Sequence, residues 1–261
     1  MGCYDIDGLA SPDLTSIKGQ SDVDQATRTR LNQINQAFYA KVAKEFDATR
    51  KQAWPGWLQA LSKIDSPIQS VIDIGCGNGR FALFLSERQP SSFDYTGIDS
   101  SQDLLWLARA SLSRFERITI RLIELDLVED ELPDMQAQLV VLFGILHHVP
   151  GFRQRRELLL RCAELLRPGG HLIFAAWRFY EEERFRARIL PWDSDFPVEK
   201  NDYLLDWRRG ERALRYCHYV DDAEHDNLVA ATGLSAKADF RADGASGMLN
   251  RYTVLSREKE G

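Results

Sequence analysis

Cysteine is scarce in this 261-residue chain: Cys3, Cys76, Cys162 and Cys217 are all there are, and no two are spaced as C-x-x-C. That argues against a disulfide framework and a cysteine-built metal site, and it makes the cytoplasm the expected compartment. No run approaches the ~18 apolar residues that a membrane-spanning helix needs. The opening Met-Gly-Cys-Tyr-Asp-Ile has no apolar core of a secretory signal, and Ile6 stands where N-myristoylation wants Ser or Thr. No membrane partner is expected. Lysine is also sparse: 25 of the 33 basic residues are arginine, and the net charge is −6. The chain therefore lacks the basic coat of a nonspecific nucleic-acid binder, and DNA is not an expected partner. Arginine favours planar, bidentate contacts over diffuse attraction.

A hydrophobic fraction of 44% supports a sizeable core. Residues 1–27 are polar, with Gly, Ser, Pro and Asp scattered through them, and read as an N-terminal tail. In 28–66, Leu31, Ile34, Phe38, Val42 and Phe46 recur at helical spacing before Trp54-Pro55-Gly56-Trp57 interrupts them, so a helical lid region is expected. Strands and helices then alternate through 67–177, with strands at 70–74, 95–98, 118–125, 139–143 and 171–176. This rhythm predicts an α/β fold with a doubly wound parallel sheet, whose ligand site lies beyond the C-terminal strand ends. Residues 178–213 break the rhythm with balanced Arg, Glu and Asp and read as an insertion on the substrate side. Residues 214–261, with strands at 215–220, 234–240 and 251–256, are expected to complete the sheet.

Residues 71–79 read Val-Ile-Asp-Ile-Gly-Cys-Gly-Asn-Gly. A dinucleotide site needs G-x-G-x-x-G. Here the third-glycine position is Arg80, and the glycine falls one residue early at Gly79. Asp73 beside the turn would repel a pyrophosphate but suits a cationic ligand. S-adenosyl-L-methionine (SAM) is such a ligand, with an ammonium, a sulfonium and no phosphate. Gly75, Cys76, Gly77 and Gly79 would form its cradle. Asp99 can accept both ribose hydroxyls, with Ser100 beside it; alternatively it is the acid at the start of the next helix. Asp126 can accept from an adenine amino group with Leu127 against the ring, or it is an ordinary turn acid.

Together, Asp73–Gly79, Asp99, Asp126, the strand ending at Phe143 and Arg167-Pro168-Gly169-Gly170 resemble the class I SAM-dependent methyltransferases. The resemblance implies a Rossmann-like, mostly parallel seven-stranded sheet with an antiparallel last strand. A narrower likeness rests on Phe38-Tyr39, Thr49-Arg50, Trp54-Pro55, Ile145-Leu146-His147-His148, Leu190-Pro191-Trp192, Arg215-Tyr216-Cys217-His218 and Asn250-Arg251-Tyr252. In that order they are similar to the tRNA wobble-uridine carboxymethyl methyltransferases. Cys217 departs from the usual aromatic.

That likeness implies tRNA as substrate and, in eukaryotic members, a small zinc-binding activator protein as partner. It also places Tyr39 and Arg50 over the methionine end of SAM, and Trp192, Tyr216 and His218 on the substrate; core packing is the competing reading for each aromatic. Consecutive histidines on a rigid strand would diverge, so His147 and His148 are not expected to share a metal, and no metal site is expected. They act as base, as positioning groups or as backbone-satisfied residues. A carboxylate acceptor is already ionised at neutral pH and needs alignment, not a base. Arg178 and the 184–188 and 208–215 arginine groups are candidates for holding an anionic acceptor, unless they are surface ion pairs. The alternatives are a small-molecule O- or N-methyltransferase, which the acidic net charge favours, and a noncatalytic SAM-fold scaffold.

Overall fold

The computed structural model describes residues 22–49 (backbone alone for 43–49), 52–192, 197–208 and 212–259. In chain order the elements are α1 (Gln25–Thr49), α2 (Pro55–Leu61), β1 (Ser70–Ile74), α3 (Arg80–Arg88), β2 (Phe93–Asp99), α4 (Gln102–Leu112), β3 (Ile118–Glu124), β4 (Ala137–Phe143), α5 (Phe152–Glu164) and β5 (Leu166–Trp177). They continue with α6 (Glu183–Arg186), β6 (Ile189–Leu190), β7 (Asp202–Trp207), β8 (Ala213–His218), α7 (Asp222–Ala231), β9 (Ser235–Ala242) and β10 (Asn250–Ser256). Short 3-10 turns fall at Leu146–His148 and Phe179–Glu181.

Seven strands form one sheet in the order β3-β2-β1-β4-β5-β10-β9. β1 pairs in parallel with β2 and β4, while β10 runs antiparallel to both β5 and β9. β1 is buried at every position, as a strand covered on both faces must be. One face packs Leu158, Leu159 and Cys162 of α5 and Leu228 of α7; the other packs Trp57 of α2, Phe81 and Leu85 of α3 and Leu112 of α4. The order reverses between β1 and β4, so the crevice at their C-terminal ends is the expected ligand site. Among the described residues no helix is long and apolar enough to cross a membrane.

Two expectations change. β5 begins at Leu166 rather than 171, because Leu166 pairs with Ala137 and a register shift absorbs the Arg-Pro-Gly-Gly segment. β8 does not complete the main sheet. It pairs with β7 in a second sheet, β6-β7-β8, whose first two strands come from the segment read as an insertion.

That small sheet is fastened to the core by a buried ionic network. Arg155 of α5, fully buried, binds Glu199 through two nitrogens at 2.9 and 3.2 Å and Glu224 of α7 at 2.6 Å. Glu199 also accepts from the backbone N–H groups of Gly151 and Phe152, which cap α5. His218 lies 2.7 Å from both Asp202 and Glu224. Burial and Arg155 oppose its charge, but the hydrogen bonds to the two carboxylates, with the Glu224 charge, raise its pKa.

Candidate active site

A cavity of about 770 Å³ opens where the tips of β1, β2 and β4 meet α1, α2 and the small sheet. Its size is in the range of small-molecule sites, roughly 300–1,000 Å³. Asp73, Gly75, Cys76, Gly77, Asp99 and Ser100 line one end with Asp126 and Leu127. Phe143, Tyr39, His147 and His148 line it further along.

The glycine turn is built for a ligand. Gly75 has φ +71°, and a Cβ there would lie 2.9 Å from Ile145. Gly77 has φ +54°, and a Cβ there would meet nothing within 4 Å. The first glycine is thus demanded by packing and the second leaves main chain bare beside the cavity. Gly79 departs from expectation: it does not line the cavity. A Cβ there would come within 3.0 Å of Ala108, so Gly79 lets α3 approach α4 closely.

Asp99 accepts from the backbone N–H of Gly77 at 2.8 Å and of Ser101 at 2.9 Å, which orient its carboxylate at the cavity. Burial raises its pKa against those two donors. Asp73 is almost fully buried and accepts from Tyr95 Oη at 2.7 Å. Burial, opposed by Tyr95 and reinforced by the Asp99 charge, lifts its pKa to about 7. Such a carboxylate lacks a full cationic partner, which suits a cationic ligand. Asp126 takes hydrogen bonds from Asn32 and Gln36 of α1, each 2.7 Å long, so the acid expected at the adenine also anchors α1.

At the other end, His148 Nδ1 faces the carbonyl of Tyr216 at 3.2 Å and Nε2 faces Tyr39 Oη at 2.9 Å. A carbonyl only accepts, so Nδ1 carries the proton and Nε2 accepts from Tyr39. His147 and His148 lie in a 3-10 turn, not on a strand, and their ring centroids are 4.0 Å apart rather than diverging. With Cys217 they form one cluster whose spacing could hold a metal; Glu199, Asp202 and His218 form another. In the first, both His148 nitrogens are engaged, and burial pushes the Cys217 thiol up to about 11. In the second, all three side chains serve the ionic network.

Besides Gly79, four expected residues do not line the cavity. Arg178 is buried against Glu181 and Asp222, at 2.6 and 3.0 Å, and donates to the Val220 carbonyl. Trp192 donates to the Asp202 carbonyl. Tyr216 and His218 point into the ionic network, where both bind Asp202. Arg50 lies outside the described residues. The reading missed Arg80, Trp207, Asp243 and the Asn32-Asn35-Gln36 face of α1, all at the cavity. Arg80 lies about 5 Å from the Trp54 and Trp57 rings, and burial lowers its pKa to about 10. The polar side chains at 32, 35 and 36 recur at helical spacing, a signal that was available.

A methyltransferase-domain family matches residues 71–170. The chain is 28% identical over 194 residues to the mouse tRNA (carboxymethyluridine(34)-5-O)-methyltransferase ALKBH8, a match covering 74% of this chain and 24% of that protein. It thus spans about a quarter of that relative's length. A SAM-dependent methyltransferase structure from Methanosarcina mazei superposes with a TM-score of 0.61 at 17% identity, covering 80% of this chain and all of that one. The N-methyltransferase NodS from Bradyrhizobium japonicum, solved with S-adenosyl-L-homocysteine, gives 0.57 at 16% identity over 85% of this chain and 97% of that one. The bare glycine turn, the three strand-tip acids and the cavity fit SAM as the cofactor. Over residues 71–170 the chain matches a methyltransferase domain, its fold is that of SAM-dependent methyltransferases, and in sequence it resembles the tRNA wobble-uridine enzymes.

Proposed function

We propose that this methyltransferase esterifies a carboxymethyl group on the wobble uridine of tRNA. The observation that carries the proposal is the His148 hydrogen-bond pattern. Both ring nitrogens are engaged, one by a carbonyl and one by Tyr39, so His148 is held as a positioning group rather than as a waiting base. An acceptor that is ionised beforehand needs no base, and a carboxylate meets that condition at neutral pH. The mouse relative's printed activity is on a carboxymethyluridine.

Asp73, Gly77, Asp99 and Asp126 would hold SAM, which supplies a methyl group on a sulfonium, transferable to a carboxylate oxygen with the electron pair left on sulfur. The chain's own contribution is alignment and exclusion of water. Trp54, Trp57, Phe81 and Phe143 wall the cavity with apolar surface, and a dry site suits two opposite charges that disappear together.

The test is transfer of labelled methyl from SAM to tRNA of matched origin, with and without a prior carboxymethyl group. Label should enter the carboxymethylated RNA alone and leave on mild alkaline treatment, as an ester does. Tight dependence of RNA binding on salt should accompany it. Label on free metabolites and never on RNA would instead support a small-molecule acceptor, the reading favoured by the net charge of −6.

A further inference from the structure

Three arginines are buried among the described residues: Arg155, Arg178 and Arg215. The first two are neutralised by carboxylates, Arg155 by Glu199 and Glu224, and Arg178 by Glu181 and Asp222. Arg215 is not. It is 7% exposed and lines the cavity. Among the described residues its guanidinium makes no hydrogen bond and no ion pair, only ring contacts. It lies 4.6 Å from the Trp177 ring centre, 5.6 Å from Phe38 and 6.0 Å from Trp207.

A buried charge without a counter-charge is costly, and a fold keeps one only where something compensates it. The three rings compensate in part, through the attraction of a cation to an aromatic face. Among the described residues no carboxylate pairs with it to supply the rest. A neutral hydroxyl or amine acceptor gives no reason to hold a cation there, and a protonated amine would be repelled. A monoanion supplies what is lacking. The N–H fork of a guanidinium matches the two oxygens of a carboxylate.

β8 explains how Arg215 reaches the site. Successive side chains of a strand face opposite ways. Tyr216 and His218 therefore turn into the ionic network, and Arg215 turns into the cavity. The Tyr216 backbone is fixed on both sides, donating to Asn35 Oδ1 and accepting from His148. Arg215 and His148 are thus held in one frame. We infer that Arg215 is the residue that grips the acceptor's carboxylate and selects the acid over uncharged uridines. The inference rests on the proposed carboxylate acceptor and deepens it.

The experiment uses the full chain loaded with S-adenosyl-L-homocysteine and an anticodon-loop RNA bearing either 5-carboxymethyluridine or uridine. Wild-type protein should bind the acid-bearing RNA about 10- to 100-fold more tightly, the range for a hydrogen-bonded ion pair. Arg215→Met should erase that preference while leaving the uridine RNA affinity and the thermal shift with S-adenosyl-L-homocysteine as they were. Arg215→Lys, which keeps the charge and loses the fork, should retain part of the preference; it decides the matter if the Met variant fails to fold. No preference in the wild type, or full preference in Arg215→Met, overturns the inference. If the preference and its loss are found but labelled methyl never arrives as an ester, the proposed function fails and the Arg215 assignment stands. If ester forms with unchanged KM in Arg215→Met, the reverse holds.

Discussion

The two ends of the cavity are built by opposite means. The cofactor end gathers Asp73, Asp99 and Asp126 at the tips of neighbouring parallel strands, and Asp99 is oriented by the backbone N–H groups of Gly77 and Ser101. Its parts are local, a turn and the residues next to it. The acceptor end gathers Tyr39 from α1, His147 and His148 from a 3-10 turn, Trp177 from β5 and Arg215 from β8. Nothing local brings these together. The small sheet does so, and the Arg155 network fastens that sheet to α5 and α7. The charged groups differ as well: Asp73, Asp99 and Asp126 at one end, and at the other the buried Arg215 guanidinium, which has no ion pair among the described residues. For the proposed carboxylate acceptor, this layout keeps the two complementary protein charges apart.

The sharpest way to break this contrast is to cut the fastening. Arg155→Ala leaves Glu199 and Glu224 buried without their cation. Loss of one partner of such a pair costs about 3–5 kcal/mol. Calorimetry should record a fall in Tm of roughly 10 °C. Acceptor binding should suffer more than SAM binding, because the acceptor end alone depends on the network; an equal loss of both would refute the division.

Next in size is Asp99→Ala, which removes the acceptor for two ribose hydroxyls. At 1.5–3 kcal/mol per hydrogen bond to a charged group, SAM affinity should fall at least ~10-fold. Isothermal titration measures it, and an unchanged Kd would take Asp99 out of the site.

A smaller effect belongs to Asp73. Its folded pKa of about 7 is above the ordinary carboxylate value of 3.8. Between those values the unfolded chain has lost the proton and the folded chain keeps it, so the ligand-free protein loses stability as pH rises from about 4 to 7 and changes little above. A bound cation reverses the preference and draws the proton off. SAM affinity should therefore rise about 10-fold from pH 6 to pH 8, with proton release at pH 6 that vanishes in Asp73→Asn.

The contrast also explains what the sequence revealed. The cofactor end was legible because its chemistry is contiguous: Asp73, Gly75 and Gly77 sit in one motif, and Asp99 and Asp126 end strands with clear patterns. Gly79 was misplaced because a glycine that touches a ligand and one that allows helix packing look alike in a string. The acceptor end was partly legible. The Arg-Tyr-Cys-His segment stands out in the sequence, but its pattern points to Tyr216 and His218 and does not separate Arg215 from the neighbouring arginines. On a strand, one residue decides between cavity and network, and nothing local in this segment fixes that register. Arg178 pairs with Glu181, three residues on, and with Asp222, whose place beside it only the fold reveals. Within 178–213 several ion pairs are local and exposed, as balanced composition suggests, but Glu199 pairs inward with Arg155 of α5 and Arg178 with Asp222 of α7, over long separations that composition does not record.

The finest test falls on Tyr39→Phe, at the seam between the two ends. The substitution deletes the hydroxyl that donates to His148 Nε2 and leaves the ring, which packs edge-on against His148 at 5.6 Å. A lost neutral hydrogen bond is worth about 0.5–1.5 kcal/mol. With a carboxylate acceptor no proton moves, so kcat should fall by roughly 2- to 10-fold and the profile between pH 6 and 8 should keep its shape, because His148 serves only to fix geometry. A hydroxyl or amine acceptor makes the opposite demand. There, Tyr39 and His148 would form the route by which a proton leaves, and general base catalysis is worth about 10²–10⁴. A loss of that size, with a new inflection in the histidine range, would show that the acceptor arrives protonated, and the carboxylate reading would give way to the small-molecule one.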